Sequence, residues 1–238
     1  MRFAVAALVA ATAVGCGSAG SEGRLTVFAA ASLAEVFPQI DERPRYSFAG
    51  SDELAVQIRE GAPADVYAAA SARHAAALHE EGLTEQPRVF ATNRLVLIVP
   101  AANPAGLRSV QDLERRPAKL VIGAAGVPVG DYARQALTAL GAQRVLTRVV
   151  SEEQDVKGVV TKVALGEADA GFVYATDVAS VAGRVRVVEL PAQAQPRIEY
   201  AVAVLAGSRR NAAADAFVEE LLGRRGREAL RAAGFGVP

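Results

Sequence analysis

The side chains that usually carry catalysis are sparse and poorly spaced in this chain. His74 and His79 sit at i, i+5 on one short Ala-rich segment. That spacing does not put both rings on one helix face, as i, i+4 would. No GxSxG elbow, Walker loop or GxGxxG is present. The only cysteine, Cys16, lies near the N-terminus. What remains is a set of hydroxyls and main-chain N–H groups where helices are expected to begin. Ser32 ends FAAAS, Ser51 ends SFAGS, Gly126–Gly130 (GVPVG) precedes a helix, and so does Glu152–Asp155. Tyr174 falls at a strand end. Each has an ordinary structural reading: a helix cap, a turn, a core ring with a wet hydroxyl. Converging on one cleft, they would bind an anion without any cationic side chain. A helix N-terminus offers unpaired N–H donors at the positive end of its dipole.

The elements that must position these groups follow from the hydrophobic pattern. Strands are expected at 25–30, 45–48, 65–69, 95–99, 120–124, 145–150, 171–175, 185–190 and 199–205. Helices are expected from Ser32 to about Ile40, with Pro38 ending it early, and at 51–61, 72–81, 131–140, 154–165, 211–222 and 226–233. The 154–165 helix has Val156, Val159, Val160 and Val163 at i, i+3, i+4 and i+7, an apolar face. Repeated strand–helix units imply an α/β fold with open sheets. Polar, Pro-containing stretches at 100–106 and 191–198 each adjoin a long strand. If those strands are crossovers, the chain leaves a first lobe near 98 and returns near 199. Lobe 1 is then 24–98 with 199–238, and lobe 2 is 99–198. A cleft between two such lobes is a preferred ligand site.

Composition narrows the classes further. The 238 residues are 51% hydrophobic, with 26 basic and 26 acidic side chains and no net charge. That excludes global disorder and argues against a nucleic-acid partner. One cysteine excludes an intrachain disulfide framework, and no Cys/His spacing fits zinc. Residues 1–15 read as a signal peptide: Arg2, then the apolar run Phe3–Val14, too short for a span of roughly 20 residues. Ala13-Val14-Gly15-Cys16 reads as a lipobox with Cys16 as the lipidated N-terminus and 16–23 as a flexible tether. An ordinary signal peptide cut near Gly20 is the alternative. Either way the mature chain works outside the cytoplasmic membrane, held to it at most by a lipid anchor.

Five stretches together carry a family resemblance. FAAASL at 28–33, SFAGSDELAVQIREGAPADVYAAAS at 47–71, VPVGDYARQALTALGA at 127–142, EQDVKGVVTKVALGEADAGFVYATD at 153–177 and YAVAV at 200–204 resemble the periplasmic molybdate-binding proteins of ABC importers, in the type II periplasmic binding protein family. The resemblance implies two mixed open sheets flanked by helices, with two hinge crossovers. It implies a binding protein and not an enzyme, with no cofactor. Its ligand would be molybdate, and tungstate too, and molybdenum would be held only as the oxyanion. Its partners would be the permease subunits, and the chain would be a monomer. Carried over by position, the ligand contacts are the hydroxyl and N–H of Ser32 and Ser51, the N–H of Val129 and Val156, and the hydroxyl of Tyr174. A tetrahedral dianion offers only acceptors, so neutral donors suffice.

This chain has Gly50 and Asp52 where relatives often carry further hydroxyls, and the stretch from Ser32 to Ser51 is short. Asp52 is expected to sit in the first turn of its helix and point away from the site. A receptor for sulfate or phosphate, or an anion-sensing lipoprotein, is the alternative reading.

Overall fold

The structure is a computed structural model in which residues 23–238 are described. The expected signal peptide, the expected lipobox with Cys16 and the expected tether up to residue 22 lie outside the described residues. Ten strands and eight α-helices follow. The first sheet contains β1 (Thr26–Ala30), β2 (Arg45–Ala49), β3 (Val66–Ala69) and β4 (Arg88–Asn93). The second contains β5 (Leu95–Pro100), β6 (Leu120–Gly123), β7 (Val149–Glu153), β8 (Ala170–Tyr174) and β9 (Val185–Glu189). The last strand, β10 (Ile198–Val204), returns to the first sheet. The helices are α1 (Phe37–Ile40), α2 (Ser51–Arg59), α3 (Ala72–Glu80), α4 (Asp112–Arg115), α5 (Pro128–Ala139), α6 (Val156–Ala164), α7 (Asn211–Leu222) and α8 (Arg224–Ala232).

The two sheets share one plan. Their orders are β2-β1-β3-β10-β4 and β7-β6-β8-β5-β9. In each, three parallel strands are followed by an antiparallel strand and an antiparallel edge. The expected two-lobed α/β architecture with two mixed sheets is therefore found. The chain changes sheets at Arg94 and again between β9 and β10. The expected exit at 98 falls inside β5, which pairs only with β8 and β9 of the second sheet. The run LVLIV is buried along its length, as a strand inside a sheet covered on both faces must be.

Burial explains the strand choice. β3, β6 and β8 are buried at every position, as parallel strands covered by helices on both faces must be. Leu54, Ala55 and Ile58 of α2 pack with Phe28, Tyr67 and Leu78 on one face of the first sheet. On the other face Phe37 meets Tyr46, Phe90 and Phe217 with ring centroids 5.8–6.1 Å apart. In the second lobe Val156, Val159, Val160 and Val163 are all buried, so α6 presents the face its spacing encodes.

Four local expectations change. Ser32 lies in a 3-10 turn, Ala31–Leu33, and Pro38 sits in the first turn of α1, where its missing N–H costs nothing. The α5 helix begins at Pro128 rather than 131, for the same reason. The strand expected at 145–150 is a 3-10 segment, Gln143–Arg148, followed by β7. Partial burial along β7 marks a sheet edge, where the apolar signal is weak. β4 was not expected, because it too is an edge with Arg88 and Val89 exposed.

Phe37→Ala is expected to destabilise the chain by about 3–5 kcal/mol through the cavity it leaves. Urea unfolding of the two proteins checks this; a loss below about 1 kcal/mol would mean the aromatic cluster does not anchor the first lobe.

Candidate functional site

The five residues expected to contact a ligand follow, or end, parallel strands at their carboxyl ends. β1 leads to Ser32, β2 to Ser51, β6 to Val129, β7 to Val156, and β8 ends at Tyr174. Because both sheets run the same 2-1-3 parallel order, these ends face each other across the lobes. Ligands in open α/β sheets bind there. All five residues line one small cleft, together with Ala30, Gly50, Ala70, Pro128 and Asp155. No Lys or Arg lines the cleft.

The donors are set up locally. Ser51 is the first residue of α2, Val129 the second of α5 and Val156 the first of α6. First-turn N–H groups have no acceptor within their helix. All three residues are at most 3% exposed. Gly130 lets α5 begin this close to β6. A Cβ there would lie 2.1 Å from the Gly123 carbonyl oxygen and 2.4 Å from that of Ala124. Asp155 caps α6 by accepting the Gly158 N–H at 2.9 Å, which leaves the N–H of Val156 for the cleft.

The hydroxyls are turned the same way. The Ser51 oxygen accepts the Ala70 N–H at 3.0 Å, so its own proton is free. The Ser51 carbonyl accepts from the Tyr67 hydroxyl at 2.6 Å. The Ser32 and Tyr200 hydroxyls lie 2.9 Å apart. The Tyr174 hydroxyl is buried and has no hydrogen-bond partner among the described residues. Burial drives its pKa far upward, so it stays protonated and can only be useful as a donor or a neutral acceptor. An unpaired buried hydroxyl costs roughly 1–3 kcal/mol. Its retention points to a bound group with acceptors.

Ion pairs join the lobes around the cleft. Arg73 of α3 pairs with Asp131 of α5 at 2.5 Å. Lys157 of α6 lies 3.6 Å from Glu35 of the first lobe and 3.3 Å from Asp177 of the second. Gly50 faces the second lobe directly: a Cβ there would lie 2.4 Å from the Gln154 carbonyl oxygen. Asp52 does not line the cleft. It sits beside Gly50, half-buried, with burial raising its pKa. Tyr200, Asn93 and Lys157 had no local signal in the sequence, because each acts through contacts made only in the folded chain.

Among the described residues no group of three or more His, Cys, Asp or Glu side chains could hold a metal ion. Two lobes whose sheets aim helix N-termini into a shared cleft define a periplasmic-binding-protein fold, a class that encloses a small solute. Residues 25–236 match the family described as bacterial extracellular solute-binding protein, and the chain belongs to that family. It is 38% identical to the molybdate-binding protein ModA of Mycobacterium tuberculosis, over 98% of this chain and 96% of that one. Against the molybdate-binding protein ModA of Escherichia coli the identity is 32%, over 99% and 96%. The fold superposes on the periplasmic molybdate-binding protein of Azotobacter vinelandii with a TM-score of 0.79 at 24% identity, covering 90% of this chain and all of that one. These relatives are solute-binding proteins, so the site is one for binding and not for catalysis.

Two variants probe the geometry. Gly50→Val is expected to keep both lobes folded but hold them apart, raising the radius of gyration seen by small-angle scattering; an unchanged radius would deny the close approach. Charge offers a second check. Burial, then the Arg73 charge, lowers the His74 pKa to about 4, while burial raises that of Asp177 to about 6 against the pull of Lys157. Between these values the native state binds one proton more at Asp177 and one fewer at His74 than the unfolded chain. The two contributions oppose each other. In Asp177→Asn only the His74 contribution remains, so stability falls as pH drops from about 6.5 toward 4. In His74→Gln only that of Asp177 remains, so stability rises as pH drops through about 6. Denaturant midpoints across this window should show the two slopes with opposite sign.

Proposed function

We propose that this chain binds molybdate, and tungstate with it, in the interlobe cleft and delivers it to the permease of an ABC importer. The observation that carries the reading is the donor set. Ser32, Ser51, Val129, Val156 and Tyr174 present hydroxyl and main-chain N–H donors in one small cleft with no Lys or Arg among its lining residues. A tetrahedral dianion fully ionised near neutral pH offers only acceptors and matches that set. Backbone donors and helix dipoles hold it without a salt bridge, and the low dielectric of a closed cleft strengthens each bond. The valines at 129 and 156 fit this role because only their main chain is used. The similarity to molybdate-binding proteins supports molybdate over other tetrahedral anions.

The same reading puts the protein at the outer face of the cytoplasmic membrane as a lipid-anchored monomer, with Cys16 carrying the lipid. No helix among the described residues is long and apolar enough to cross a membrane.

Calorimetry on the purified mature chain tests the proposal. Molybdate and tungstate should bind tightly, with sulfate and phosphate weaker; no heat with molybdate at micromolar protein would sink it. Ser32→Ala, Ser51→Ala and Tyr174→Phe should each weaken molybdate binding by about 1–3 kcal/mol, the size of a hydrogen bond to a charged group. Cys16→Ala should move the protein from the membrane to the soluble fraction.

A further inference from the structure

Asn93 ends β4, next to Arg94, where the chain passes from one sheet to the other. Its side-chain oxygen accepts the Arg94 N–H at 2.9 Å. That contact fixes which way the amide faces. The NH2 group is turned to the Thr176 hydroxyl at 2.9 Å and the Tyr200 hydroxyl at 3.4 Å. An amide N–H can only donate. The Tyr200 oxygen therefore accepts, and its single proton is left for its other partner, the Ser32 oxygen at 2.9 Å. Tyr200 is fully buried, and these are its two hydroxyl partners among the described residues. With one of its lone pairs engaged by Tyr200, Ser32 keeps its own proton available to the cleft. Ser51 is held in the same sense by the Ala70 N–H.

We infer that Asn93 and Tyr200, neither of which lines the cleft, are positioning residues that keep the Ser32 proton available to the cleft and so bias the site toward oxyanions that carry no proton. The inference rests on the oxyanion reading above and deepens it. Hydrogen phosphate has a P–OH that needs an acceptor; molybdate has none. Asp155 also lines the cleft, with one oxygen held by the Gly158 N–H; its other oxygen is the same in the wild type and the variants below and so does not enter their comparison. Reversing the relay would offer the P–OH an acceptor at Ser32. The polarity originates at the crossover itself, since the Arg94 N–H sets the Asn93 amide. Thr176, the other acceptor of that amide, belongs to the second lobe, so the relay is anchored on both sides.

Asn93→Asp should invert the chain of bonds. A carboxylate at 93 can still accept the Arg94 N–H but must also accept from Tyr200. Tyr200 would then accept from Ser32, whose lone pairs would face the cleft. The added charge repels molybdate and hydrogen phosphate alike, so the ratio of their affinities reports polarity alone. In mildly alkaline buffer, competition calorimetry with inorganic phosphate and molybdate should show the molybdate preference reduced about tenfold or more. Tyr200→Phe keeps the ring packed against Phe90 and Phe235 and frees Ser32 to turn either way. It should shift the ratio in the same direction by less, and it serves if Asn93→Asp does not fold. Wild-type binding of molybdate with an unchanged ratio in the variants overturns the relay and leaves the oxyanion reading standing. A wild-type chain that binds neither anion overturns both.

Discussion

A buried donor without an acceptor is the constraint around which this molecule is arranged. Backbone N–H groups at the starts of α2, α5 and α6 are removed from water, and so is the Tyr174 hydroxyl. Burying such groups unpaired costs free energy comparable to a lost hydrogen bond. The fold meets this cost because the donors face one another. One lone pair each of Ser32 and Ser51 is engaged within the protein, which leaves their protons to the cleft beside the helix N–H groups. A small anion is the partner that balances these donors without a counter-charge.

Everything larger serves that convergence. Each sheet runs its first three strands parallel in the same order, so each brings its carboxyl ends to one edge. Exchanging β5 and β10 between the sheets joins the two lobes by two strand connections and turns those edges toward each other. Small residues then set the distance. Gly130 lets α5 start on top of β6, and Gly50 lets the lobes come together at the Gln154 carbonyl. The surrounding ion pairs, Arg73 with Asp131 and Lys157 with Glu35, are partly exposed. Such pairs contribute little each, so they guide the lobes more than they hold them.

Much of this could be read from the residues in order. The valines of α6 lie at helical spacing and are buried as that spacing requires. Strands buried on both faces announced themselves as continuous apolar runs. The five cleft residues were legible through the stretches around them, such as FAAAS and GFVYATD, although each alone has an ordinary meaning. Edge strands were harder. β4 and β7 are half-exposed, and their pairing partners lie far off in sequence, so local pattern could not separate them from connections. Proline was read as a stop at 38, yet it starts a helix there and at 128, because a missing N–H is harmless in a first turn.

The sequence by itself determined the alternation of strands and helices, the α/β class and the identity of the donors. It did so because periodicity, capping residues and short apolar runs are local properties. Tertiary structure alone decided where the chain changes sheets, how close the lobes come, and which way each hydroxyl points. Ser32 and Tyr200 are 168 residues apart, and Asn93 reaches Tyr200 across 107. A hydroxyl is donor or acceptor according to what stands beside it, and no local pattern states what the fold will put there.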